Sequence, residues 1–220
     1  VPPLLADEDA ILVEPCAVAI HAAWRRPPQP GERVLVLGCG TIGFLLIQVL
    51  RILQPACEVY AVAEFPWQAE LAAACGAHQV FLARDDGYAR VARLTGATVH
   101  QGRGRNRMLL GGLDVVYDVV GAAATLHNAL RWTRARGTVV LVGVNLHRMA
   151  LDLTPVWYQE VDLLGVVGHD VVTWQSQSLS TFELAMRWMQ EGKLDTSSLL
   201  THRFPLDAYR QAFSVAVEKD

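Results

Sequence analysis

Three glycines carry the first chemistry legible in the chain: Gly38-Cys39-Gly40-Thr41-Ile42-Gly43 reads G-x-G-x-x-G. The hexapeptide follows an apolar, β-branched run at residues 34–37 and opens an apolar helical pattern at 42–53. In that context Gly38 permits the tight turn, Gly40 lets a pyrophosphate approach the backbone, and Gly43 lets the helix pack close to the strand. The free N–H groups of the helix start then face the anion. A ribose reader belongs at the end of the next strand, about 20 residues past the last glycine. That position falls at Ala63 or Glu64. A carboxylate at Glu64 accepts from ribose hydroxyls and repels a 2′-phosphate, whereas Ala63 does neither. No Lys or Arg lies between Arg51 and Arg84, so the usual local partner of a 2′-phosphate is absent. The expectation is NAD in preference to NADP.

Other reactive residue types are less specific. His169-Asp170 invites a proton-relay reading, against the plainer reading of a surface loop or interdomain contact. His21 falls on the helix face of Val18 and reads as a core or interface histidine. Cys16, Cys39, Cys57 and Cys75 include no C-x-x-C pair, so neither a metal knuckle nor a redox pair is spelled out. They read as reduced, mostly buried thiols. No G-x-S-x-G elbow occurs, which leaves hydrolase chemistry unsupported.

These residues need a frame. Apolar runs at 34–37, 59–63, 79–82, 114–119, 138–142 and 161–167 are apolar on both faces, as strands of a covered parallel sheet are. Helical patterns at 42–53, 67–75, 122–133 and 181–190 alternate with them. In the last, Phe182, Ala185, Met186 and Met189 fall at i, i+3, i+4 and i+7. The alternation predicts a doubly wound α/β fold with a parallel sheet. Two stretches break the rhythm. Residues 83–112 hold one short helix near 88–94 and then Arg103, Arg105 and Arg107 among glycines, read as a solvated loop, with phosphate binding as the sharper alternative. Met149, Leu151 and Leu153 alternate at period two and predict an edge strand over 149–153, open to pairing with a second subunit.

Composition sets bounds. Of 220 residues, 52% are apolar and 19% charged, enough for one substantial core and too apolar for a disordered chain. A net charge of −3 argues against a nucleic-acid footprint over the whole surface. The longest apolar helical pattern, 42–53, is too short to cross a bilayer, and no secretory leader pattern is visible. The expected location is cytoplasmic, with no nucleic-acid or membrane partner.

In this order the pieces resemble the medium-chain dehydrogenase/reductase superfamily, most of all its zinc-dependent alcohol, polyol and threonine dehydrogenase branch. The resemblance rests on residues 13–22 (VEPCAVAIHA), 30–43 (PGERVLVLGCGTIG), 70–77, 114–121, 137–143 (GTVVLVG), 192–195 and 201–206 running on to Phe213. It implies hydride transfer between an alcohol or carbonyl substrate and a nicotinamide cofactor. It also implies that a GroES-like catalytic domain with the main zinc ligands is missing. Residues 1–27 then read as a returning linker and helix, 28–195 as the Rossmann dinucleotide-binding domain, and 196–220 as a return segment. Glu14 matches a position at the metal in polyol-type relatives, so zinc is expected only in the full-length protein and the fragment alone is expected to be inactive. Val120 and Gly121 match the strand end beside the adenosine. Val142, Gly143 and Val144 match the strand end under the nicotinamide. The alternatives are a zinc-free quinone or enone reductase of the same superfamily, an S-adenosylmethionine-dependent methyltransferase, and a non-catalytic nucleotide-binding module.

Overall fold

Six of the apolar runs pair into one parallel sheet, and its strand order fixes where a ligand can lie. The computed structural model describes residues 5–102 and 106–218. The strands are β1 (Arg33–Leu37), β2 (Glu58–Ala63), β3 (Gln79–Leu82), β4 (Thr98–Gln101), β5 (Arg107–Leu110), β6 (Leu113–Asp118), β7 (Thr133–Leu141), β8 (Asp162–Gly165), β9 (Val171–Trp174) and β10 (Gln177–Ser180). The helices are α1 (Asp7–Ala10), α2 (Val13–Arg25), α3 (Thr41–Leu53), α4 (Pro66–Ala74), α5 (Gly87–Thr95), α6 (Ala123–Trp132), α7 (Thr154–Tyr158), α8 (Thr181–Gln190) and α9 (Tyr209–Glu218). The main sheet runs β3-β2-β1-β6-β7-β8, every pair parallel. This is the doubly wound order, with the chain reversing its direction of build between β1 and β6. Ligands of such sheets lie beyond the carboxyl ends of the strands at that point.

Strand alternation sorts the side chains into two cores. Val34, Val36, Val59, Ala61, Val115 and Tyr117 face one layer with α2, α3 and α8. Leu35, Tyr60, Val62, Val116 and Val139 face the other with α5 and α6. Each Val or Leu fully buried this way contributes about 1.5–3 kcal/mol. Helix ends follow local chemistry. The Asp86 carboxylate accepts from Tyr88 N and Ala89 N to start α5, which stops at Gly96 with φ +73°. Ser180 and Glu183 form a reciprocal cap on α8.

Three expectations are corrected. Residues 149–153 are not a strand. Met149 and Leu151 do turn inward onto the second core. The Asp152 carboxylate, however, accepts from Thr154 N and pairs with Arg131, and Pro155 starts α7 immediately after. These local bonds displace a ladder, and β8 is the edge on that side of the sheet. The stretch after α5 is not wholly a loop either, because β4 and β5 pair as an antiparallel hairpin. Arg103 and Arg105 lie outside the described residues. Finally, α8 buries Leu184, Ala185 and Trp188 most deeply, while Phe182, Met186 and Met189 pack beside them half-exposed. The stripe is rotated because Trp188 joins Trp24 and Trp174, at 6.4 and 5.2 Å between ring centroids.

Candidate active-site cleft

The glycine turn sits where β1 ends and α3 begins, at the reversal point of the sheet. A Cβ on Gly43 would come 2.0 Å from Gly38 O, and one on Gly38 2.5 Å from Val120 Cγ2. Both are glycine because the helix, the turn and β6 touch. Gly38 also needs its φ of +106°. Gly40 differs. A Cβ there would meet nothing within 4 Å, and its φ of −98° suits any residue. No protein atom requires glycine at position 40, so the free space above it is the property left to explain.

That space is a cavity of about 600 Å³ lined by Gly38, Cys39, Gly40, Thr41, Ile42 and Gly43, by Ala63 and Glu64, and by Val120. Nine of the residues singled out from the sequence therefore meet in one cleft. Residues not singled out complete it: Phe65, Gln68, Ala83 and Thr125. Glu64 follows the last residue of β2 and is exposed, whereas Ala63 is buried. The turn between them and α4 is locked by Gln68, whose Oε1 accepts from Glu64 N and Phe65 N. The Cys39 side chain is buried, with its Sγ donating to Val62 O. Burial pushes its thiol up to about 12, so it remains protonated and serves packing.

The other strand ends are tied by one acid. Asp118, fully buried at the end of β6, accepts from Val120 N and Gly121 N at 3.0 Å and from Thr125 Oγ1. Burial raises its carboxyl above the ordinary range against those three bonds. Its backbone carbonyl accepts from Val142 N and Gly143 N. The amides of Val142 and Gly143 are thus occupied within the fold, and these residues lie behind Gly121 and not in the 600 Å³ cavity. Gly121 and Val144 line a more open recess of about 390 Å³ next to it. Sequence reasoning gave Asp118 no role, although an acid closing a strand just before Gly121 was visible.

The remaining candidates separate. Glu14 is exposed in the first turn of α2. Among the described residues no three His, Cys, Asp or Glu side chains come together as a metal site, so the chain's own residues do not fit a zinc ion. Arg107 pairs with Asp86 at 2.9 Å and lies over the Tyr88 ring, which commits it to α5. His169 and Asp170 do not act together. His169 packs on Phe182 at 4.7 Å, while Asp170 faces His21.

The geometry therefore fits an extended dinucleotide along the carboxyl edge of the sheet. Residues 41–191 match the family described as zinc-binding dehydrogenase, and the chain belongs to that family. It is 30% identical over 200 residues to L-idonate 5-dehydrogenase of Vitis vinifera, covering 90% of this chain and 49% of that protein. It is 26% identical over 212 residues to D-arabinitol dehydrogenase 1 of Uromyces fabae, covering 94% and 55%. The solved L-idonate 5-dehydrogenase of Escherichia coli superposes with a TM-score of 0.78 at 25% identity, covering 99% of this chain and 56% of that one. The chain thus spans about half the length of the relatives it matches. Family and strand order both speak for the dehydrogenase reading and leave the methyltransferase alternative without support.

Proposed function

We propose that this chain is the NAD(P)-binding part of an oxidoreductase that moves hydride between an alcohol or polyol and its ketone or aldehyde. The cavity over Gly40, whose glycine no packing contact explains, carries the reading. The bound nicotinamide supplies the hydride chemistry; this chain's residues bind and orient it. Residues 40–43 offer the pyrophosphate a bare backbone and a helix start. Glu64 meets the adenosine ribose and favours NAD over NADP by repelling a 2′-phosphate. Val120 and Gly121 border the adenosine side, and Val142, Gly143 and Val144 shape the nicotinamide end from behind. On this reading residues 28–195 form the dinucleotide unit, with 1–27 and 196–220 joining it to the rest of the protein. Glu14 is then one carboxylate of a zinc shell that the rest of the protein completes, and no chemical step is assigned to it here. The fragment alone lacks turnover.

The same reading places the protein in the cytoplasm, as a homodimer. Since 149–153 is not a strand, the edge offered for pairing is β8, which carries exposed Leu163 and follows exposed Leu153 and Trp157 in the chain. No helix of the described residues is long and apolar enough to cross a membrane. Sedimentation of a monomer at high concentration would remove the dimer.

The decisive experiment is titration with NADH and NADPH, read by energy transfer from tryptophan. Trp67, half-exposed and stacked on Phe65 beside Gly40, reports directly. Saturable binding with NADH tighter is the expected result. Binding of neither cofactor overturns the proposal.

A further inference from the structure

The segment that leaves β8 is held by α2, which shares its core layer. Beyond β8, Val166 N donates to Leu141 O at 3.2 Å, which keeps the emerging segment beside the end of β7. The segment then turns at Gly168, with φ +60°. Helix α2 reaches it twice. Arg25 Nε donates to Gly165 O at 3.2 Å. One turn earlier, His21 places Nδ1 3.3 Å from Gly168 O and Nε2 3.5 Å from Asp170 Oδ2. Both oxygens are acceptors only, since a carbonyl and an ionised carboxylate have no proton to give. A neutral imidazole has one N–H and satisfies one of them. An imidazolium satisfies both.

We propose that His21 and Asp170 are positioning residues: together they pin the Gly168 corner to α2, and the doubly protonated ring fixes the wall at the nicotinamide end of the cleft. The inference rests on the dinucleotide reading above. Among the described residues Asp170 is the one charged group at ion-pair distance from the ring. On α2 itself Glu14 lies seven residues before His21 and Arg25 four after. From α8, Glu183 is engaged by Ser180 and Arg187 by Gln177. From α3, Arg51 is engaged by the carbonyls of Pro55 and Cys57. His169, next to Asp170, packs on Phe182.

The test is NADH affinity of the 220-residue chain from about pH 5 to about pH 8, the window in which an imidazole changes charge. NADH is chosen because its pyrophosphate does not titrate there. The expected result is a two- to tenfold weakening on going up the window, roughly the fold-change of one hydrogen bond. His21→Gln and the exposed Asp170→Asn should both flatten that profile while retaining the fold by circular dichroism. In parallel, NMR should show the Gly168 and Asp170 amides shifting with the His21 ring as it titrates, and losing that coupling in Asp170→Asn. A flat wild-type profile, a slope retained in both variants, or amides indifferent to the ring would each overturn the clamp. Absence of NADH binding at every pH would overturn the dinucleotide reading instead, and the NMR arm then shows whether the pin itself exists.

Discussion

Gly121 and Gly143 touch backbone to backbone. A Cβ on Gly143 would lie 2.2 Å from Gly121 N, and one on Gly121 2.5 Å from Gly143 O, with Gly121 already at φ +74°. The ends of β6 and β7 are therefore closer than any side chain permits. Gly143→Ala should destabilise the fold by more than about 2 kcal/mol. A urea midpoint unchanged from wild type would show that the two strand ends separate freely.

Gly40 makes the opposite prediction. Its Cβ has room, so Gly40→Ala costs less than about 1 kcal/mol, the cost of a poorer residue at a helix N-cap. NADH binding should nonetheless weaken more than tenfold, because the methyl group enters the space reserved for the pyrophosphate. Equal affinity in the variant would mean that the cavity over Gly40 is not where the dinucleotide lies.

On the proposed function, Glu64 favours NAD over NADP. Glu64→Gln removes the repulsion of a 2′-phosphate at an exposed site, worth about 1 kcal/mol, or fivefold. The ratio of NADPH to NADH affinity should rise by that amount with little change in NADH binding. An unchanged ratio would free Glu64 from any role in reading the ribose.

Asp118 gives a signed pH effect. Burial raises its carboxyl in the folded state. Its contribution therefore favours folding most at acid pH and is lost as pH rises through the raised value. Asp118→Asn keeps an acceptor for the two amides and removes the titration. Relative to wild type, the Asn variant should be more favourable at about pH 7 than at about pH 4. The same difference at both values would sink the argument. Asp118→Ala, which strands both amides, should cost about 2 kcal/mol.

Asp152 has the opposite sign. Its carboxyl is held down to about 2, first by bonds from Thr154 and then by the buried Arg131. The stabilisation is present above the ordinary carboxylate range and lost as pH falls through about 2. Asp152→Asn should be less stable than wild type at neutral pH and converge with it in strong acid. Denaturation at a series of pH values checks this, and a constant gap down to the acid limit would refute it.

Much of this frame was legible because both faces of the sheet are buried. The apolar runs of β1 and β6 and the second half of β7 leave little ambiguity, and a G-x-G-x-x-G between a strand and a helix has few other readings. Position 149–153 shows the limit. Its period of two holds in burial for Met149 and Leu151 but fails at exposed Leu153, and Asp152 is drawn instead to Arg131, a partner 21 residues away. The Gly121–Gly143 contact and the His21–Asp170 pair were hidden for the same reason, since nothing local in either partner signals the other. Glu64 was legible by counting, while the Gln68 lock behind it was not.

The placement of α2 has a consequence for biosynthesis. Cys16, Ala17, Ala19, Ile20, Ala22 and Ala23 are wholly buried, and α2 packs on both α3 and α8. α8 begins at Thr181, more than 150 residues after α2. As the chain emerges from a ribosome at about 5–20 residues per second, this greasy helix waits roughly 8–30 seconds for its cover. Ranking truncations by their demand for chaperones should therefore show a step where α8 is completed.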